Sequence, residues 1–378
     1  MTRTTAITNA RIVTPEVVID RGSVLVEGTR IVRVDRDVSN SIAATRVVDA
    51  DGSVLIPGLV DLHGDDVESH LFPRSGARMP TELALTSADR FNVLQGITTK
   101  FHAIAFEDSP EDDRSIDQAR EVVAAIVSMD GFLADTRVHV RAELSSASVS
   151  AVENIVKTGS VDLVSIMHHA PGVGQFDDPD AFRRRYEDRF NISGGQTQQL
   201  VEDRQSLSAR SRRITAERII DQVHSLDIPV ASHDDETVDG VEWMARRGVA
   251  ISEFPVTIQA ARRATELDQR TVMGAPNLVR GGSLWGNLTV SEAINAGVLD
   301  ILSSDYHPPS LLAAPFVDNG EPLPVRVARV TKNPAEAVGL TDRGRIVEGA
   351  RADLVLVDSE PTPTVQEVWV AGDCVISG

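Results

Sequence analysis

The chain carries one cysteine, Cys374, in 378 residues, so no internal disulfide can staple it and its stability must come from packing. Aromatic residues make up only 4%. No apolar run approaches the roughly 20 residues that a membrane helix needs, which argues against a bilayer-spanning chain. Basic residues are also in deficit: 37 Lys and Arg stand against 56 Asp and Glu, a formal charge of −19. That balance argues against nucleic acid or an anionic membrane as a partner, and leaves room for a local basic pocket. The opening "MTRTTAITNARIV" lacks the long apolar core of a signal peptide, so a cytoplasmic location is expected.

What is present reads as ordinary globular protein, with 42% hydrophobic and 25% charged residues. From Leu59 onward, short apolar runs alternate with helical stretches: "GLVDLHGD", "GITTKFHAI", "RVHVRAEL", "VDLVSIMHH", "IPVASHDD", "VAISEFP", "TVMGAP" and "VLDILSSD". Eight such units with near-continuous apolar strands predict the α/β class, as a (β/α)8 TIM-type barrel whose chemistry sits at the C-terminal strand ends. The β-type runs before residue 55 and after 345 predict a small composite β-sandwich domain drawn from both termini (1–55 plus 345–378), enclosing a barrel over 56–344. A helical segment around 171–215 interrupts the rhythm and reads as an insertion with exposed, ion-paired helices.

The strand ends collect metal-capable groups. His63 and Asp65 stand two apart and project to one side of an extended chain, and later strands add Glu143, the adjacent His168 and His169, His233 and Asp305. Imidazoles mixed with carboxylates suit a divalent transition metal, one or two ions, better than calcium; zinc comes first, with manganese or iron as alternatives. Of the adjacent pair, only one faces the barrel axis, and His169 is the expected ligand. His139 reads as structural, His102 as a residue at the mouth, and Glu253 as equally a structural or a functional carboxylate. For an anionic substrate the chain offers Arg74, Arg78, Lys100, Arg141, Arg280 and His307, with Gly281 and Gly282 exposing backbone N–H groups beside Arg280.

The segments "GLVDLHGD", "ASHDD", "MGAPNLVRGGS", "LDILSSDY" and "VTKNPAEAVGL" resemble the amidohydrolase superfamily, and within it the α-D-ribose 1-methylphosphonate 5-triphosphate diphosphatases of phosphonate catabolism. The resemblance runs over nearly the whole chain. It implies a metal-bearing barrel with a composite β-sandwich, hydrolysing a ribosyl 5-triphosphate to the 5-phosphate and pyrophosphate. It also implies that the metal ligands fall on His63, Asp65, Glu143, His233 and Asp305. Strand six departs from the superfamily pattern, since "SEFP" stands where many members carry a second histidine, and Glu253 or His169 takes that place. Within the branch, Asp66, Ser69 and His168 are further departures.

These parts predict a metal-dependent hydrolase in which His233 and Asp305 are catalytic, Asp305 receiving the proton of the attacking water. The expected partner is a small phosphorylated sugar, and a homo-oligomer is compatible with the sequence. Two other readings follow from the same residues: a C–N amidohydrolase, and a non-catalytic barrel scaffold, which the intact ligand set disfavours.

Overall fold

The computed structural model describes residues 3–36, 44–74, 76–109, 114–144, 146–168, 209–284 and 286–377. His169 and most of the expected insertion lie outside the described residues.

Among the described residues, sixteen strands form two sheets. The first contains β1 (Thr4–Val13), β2 (Val18–Glu27), β3 (Arg30–Asp35), β4 (Arg46–Asp49) and β5 (Val54–Pro57), joined by β14 (Leu354–Asp358), β15 (Thr364–Val370) and β16 (Asp373–Ser377). The two halves meet where β5 pairs antiparallel with β14, Leu55 opposite Leu356. The fully buried Trp369 fills the core beneath, against Leu55, Leu354 and Ile12.

The second sheet runs parallel in chain order through β6 (Leu59–Gly64), β7 (Ile97–Phe106), β8 (Asp135–Glu143), β9 (Leu163–Met167), β10 (Val230–His233), β11 (Ile251–Glu253), β12 (Arg270–Gly274) and β13 (Ile301–Ser303). These are the eight expected strands. The seam between last and first closes through backbone: Asp305 N donates to His63 O at 2.9 Å, and Asp65 N donates to Asp305 O at 3.1 Å.

Alternation explains the two faces. Ile104, Phe106, Val138, Val140, Ala142, Val164 and Ile166 face outward onto α3 (Ile116–Ser128), α4 (Ser146–Val156) and the helix Ala209–His224. Their odd-numbered neighbours Phe101 and Leu163 face the lumen, where Val60, Leu62, Ala231, Ile251, Val272 and Ile301 complete an apolar plug. Each buried branched or aromatic side chain contributes roughly 1.5–3 kcal/mol at most. Above the plug the lumen turns polar. Among the described residues no helix is long and apolar enough to cross a membrane.

Candidate metal centre and anion site

The site begins with an irregularity in β6. Asp61 pairs with Lys100 but Gly64 pairs with His102, so β6 uses three steps where β7 uses two. Val60 and Leu62 already face the lumen, and strict alternation would send His63 out among the helices. The extra residue, a β-bulge, turns His63 back inward.

There His63 meets two other strands. Its Nδ1 lies 3.3 Å from Glu253 Oε2, and the Nδ1 of His233 lies 3.3 Å from the same oxygen. The two imidazoles stack with centroids 5.4 Å apart. Candidate ligand atoms of His63, His233 and Glu253 all fall within 4.8 Å of one another. Tetrahedral bonds of about 2.0–2.2 Å put neighbouring ligand atoms roughly 3.3–3.5 Å apart, so two nitrogens and one carboxylate oxygen fit a zinc-like ion in separation and in chemistry.

The surroundings tune these groups. Burial works against ionised Glu253, but the imidazoles of His63 and His139 and hydrogen bonds from His233 and His63 outweigh it and hold the carboxyl well below its usual range. Burial pushes His63 down, keeping it neutral and fit to ligate. For His233, burial is outweighed by the nearby Asp234 carboxylate and the pKa rises. His139 is fixed by its partners: Nδ1 sits 2.9 Å from Leu62 O, an acceptor only, so Nδ1 carries the proton and Nε2 accepts from Ser165 Oγ at 2.9 Å. Burial pushes His139 down to about 3.

Three strand ends adopt left-handed backbone without glycine: Asp234 at φ 56°, Phe254 at φ 53° and Asp305 at φ 54°. Such positions cost on the order of 1–3 kcal/mol each and cluster where function over-determines geometry. The Phe254 ring packs edge-on to both His63, at 4.9 Å, and His233, at 5.3 Å. At Asp305, burial and then the neighbouring Asp65 carboxylate push the carboxyl up to about 7.

Beside this cluster lies a buried cation. Arg141 shares the lumen face of β8 with His139 and Glu143 and is 6% exposed. Its Nε and Nη1 have no hydrogen-bond partner among the described residues, and Asp65 Oδ2 stands 3.5 Å from Nη1. One step further along, Glu143 Oε1 lies 3.1 Å from His168 Nδ1.

The structure therefore gathers His63, His233 and Glu253, with Asp65, Asp305 and Arg141 adjoining and a Glu143–His168 pair beyond. Other expectations land elsewhere. Lys100 is not at the mouth: it faces out of the barrel, buried, paired with Asp61 and Asp66 at 2.7 Å each. His102 lies on the same outer face, fully buried. Arg78 is exposed and bound to Glu121 of α3 at 2.8 Å, turned away from the lumen. Arg74, Arg280 and His307 are exposed. Gly281 and Gly282 do not offer their N–H groups to a ligand, because these donate to Leu278 O at 3.1 Å and Asn277 O at 2.9 Å, capping the helix Ala275–Arg280. His139, expected to be structural, sits mid-strand, four residues into β8, on the lumen face beside His63. The i, i+2, i+4 spacing of His139, Arg141 and Glu143 was the sequence signal for one shared face.

A cleft of about 510 Å³ lies at the opposite end of β8, lined by Phe132, Asp135, Arg351 and Asp373. Its one acidic group near the barrel, Asp135, is already engaged by Arg137, Arg343 and Arg351, so it offers no free chemistry.

Comparison with known proteins agrees with this architecture. A profile described as "Amidohydrolase family" matches residues 231–376. The α-D-ribose 1-methylphosphonate 5-triphosphate diphosphatase of Escherichia coli (strain K12) is 38% identical over 335 residues, covering 86% of this chain and 89% of the relative. Among solved structures, the 5-methylcytosine deaminase of Klebsiella pneumoniae superposes with a TM-score of 0.67 at 15% identity, covering 99% of this chain and 98% of that one. The β-aspartyl dipeptidase of Fervidobacterium islandicum AW-1 gives 0.63 at 17% identity, covering 99% and 97%. At such identities the two structures speak for the fold alone.

Proposed function

The chain belongs to the amidohydrolase family, and from that premise we propose that it is a metal-dependent hydrolase that cleaves a ribosyl 5-triphosphate, such as α-D-ribose 1-methylphosphonate 5-triphosphate, to the 5-phosphate and pyrophosphate. The activity for which the Escherichia coli relative is named supports the substrate class. The structural observation that carries the reading is Arg141: a buried guanidinium with two nitrogens unmatched among the described residues, beside the His63–His233–Glu253 cluster, suits a phosphoryl group and has no counterpart in the needs of a neutral amide.

His63, His233 and Glu253 would hold a divalent ion, zinc first, with Asp65 and Asp305 adjoining. When bound, the ion supplies the Lewis acidity that makes water a nucleophile near neutral pH. Asp305, with a carboxyl titrating at about 7, receives the proton of the attacking water. Arg141 orients the phosphoryl oxygens and offsets their charge while the pyrophosphate leaves in line, and the exposed Arg74 and Arg280 attract the distal phosphates. So charged a substrate does not cross membranes unaided, which supports a cytoplasmic site of action.

The test is ³¹P NMR of the purified enzyme with a ribosyl 5-triphosphate. Pyrophosphate as first product is expected. Orthophosphate first would put attack on the γ-phosphorus, and turnover of cyclic amides with no phosphate release would replace the reading by a C–N hydrolase.

A further inference from the structure

Asp61 is fully buried and gathers four donors. Its Oδ2 accepts from Lys100 Nζ at 2.7 Å and Ser304 Oγ at 2.5 Å, while Oδ1 accepts from the backbone N–H of Ser304 at 3.0 Å and of His63 at 3.3 Å. Those two amides are the informative ones. The first precedes Asp305 on the last barrel strand end, and the second belongs to the bulged residue that β6 turns into the lumen. A bulge leaves a backbone donor outside the ladder, and a buried N–H must find an acceptor.

Lys100 makes this arrangement tenable. It neutralises Asp61 and reaches Asp66 at 2.7 Å, whose other oxygen accepts from Asn92 Nδ2 of α2 (Thr81–Leu94) at 2.8 Å. Gly64 leaves the room: a Cβ there would stand 1.9 Å from Lys100 Nζ. Stability alone does not account for the network, because well-packed apolar residues fill a buried site as favourably as an ion pair does. Apolar residues cannot, however, accept two amides from opposite sides of a barrel seam.

We propose that Asp61, with Lys100 as its counter-ion and Ser304 as its second anchor, is a positioning residue that holds the bulge of β6 and the start of the Asp305 turn in register, so that His63 and Asp305 face the same point in the lumen. None of the three touches substrate. The inference rests on the reading of His63 as a metal ligand.

The experiment is titration of metal-stripped protein with Co²⁺, following visible absorption and affinity by chelator competition, for the wild type, Asp61→Asn, Ser304→Ala and Ser304→Thr. In Asp61→Asn that retains its circular dichroism, affinity falls at least 10-fold and the cobalt band shifts, because one ligand no longer points at the ion. Ser304→Ala falls about 3-fold and Ser304→Thr, which keeps the hydroxyl, returns to the wild-type value. Folded variants with wild-type affinity and band would make the network packing only and overturn the inference. If Asp61→Asn does not fold, Ser304→Ala decides alone, unchanged binding again counting against it. Absence of Co²⁺ binding by the wild type overturns the metal reading and this inference together, whereas binding by the wild type with indifferent variants overturns only this one.

Discussion

Arg141 and Asp65 face each other inside the barrel at 3.5 Å, close enough to attract and too far to share a good hydrogen bond. The aspartate keeps some exposure, while the arginine has almost none. A buried cation so lightly compensated costs stability, and such costs persist where a ligand completes the pairing.

Replacing Arg141 by Met should separate the two consequences. Charge-assisted contacts are worth about 1.5–3 kcal/mol, so kcat/KM for the triphosphate should fall on the order of 10- to 100-fold. The melting temperature should stay level or rise, because a partly orphaned buried charge disappears. Equal activity in the variant would remove Arg141 from the substrate site.

Arg74→Ala and Arg280→Ala should each cost less, within about 5-fold, since both side chains are exposed and solvent screens their contribution. Raising salt should shrink these effects and leave that of Arg141→Met nearly unchanged. Steady-state kinetics at two ionic strengths would show the contrast.

His233→Ala and Asp305→Asn should each lower turnover by roughly a thousandfold or more with circular dichroism unchanged, because both sit at strand ends above the apolar plug rather than within it. A near-normal rate in either variant would displace the assignment.

Glu253→Gln should cut bound transition metal to well below one equivalent by elemental analysis, since it removes the charge that both histidines approach. Chelation of the wild type should abolish turnover, and restored metal should return it. A Gln variant that purifies with full metal would make Glu253 a structural carboxylate.

His102 predicts a loss of stability in acid. It is fully buried, neither ring nitrogen has a hydrogen-bond partner among the described residues, and burial pushes its pKa from 6.5 down to about 4. Above pH 6.5 it is neutral in both folded and unfolded chains and contributes no pH dependence. As pH falls from 6.5 toward 4, only the unfolded chain takes up the proton, so stability drops by up to about 3 kcal/mol from this one group. His139, at about 3, adds a loss of the same sign. His102→Leu should flatten the decline between pH 6.5 and 4 in denaturant titrations.

The barrel strands were legible because each is a short apolar run ending in polar residues, and His63, Asp65, His233 and Asp305 were legible because they occupy those ends. What the sequence hides is facing. Alternation over "TTKFHAI" leaves two choices, and packing of Ile104 and Phe106 on the helices decides that Lys100 and His102 look outward with them. The bulge in β6 is a property of two strands paired together, so one strand read alone cannot reveal it. For Glu253 the sequence favours neither of two roles, because the approach of His63 and His233 to one of its oxygens is visible only in three dimensions. In sequence the Gly281–Gly282 pair suggests a cradle for phosphate, although Arg followed by Gly is also how helices stop.

The pairing of β5 with β14 ties neighbours in space that are separated by roughly 300 residues of chain. At about 5–20 residues per second, synthesis leaves β5 without that neighbour for some tens of seconds. During that interval its open edge is a template for stray strands, and the first sheet cannot reach its final width until the barrel has been made. Chain order thus constrains assembly: β14, which covers the exposed edge of β5, is made only after every barrel strand.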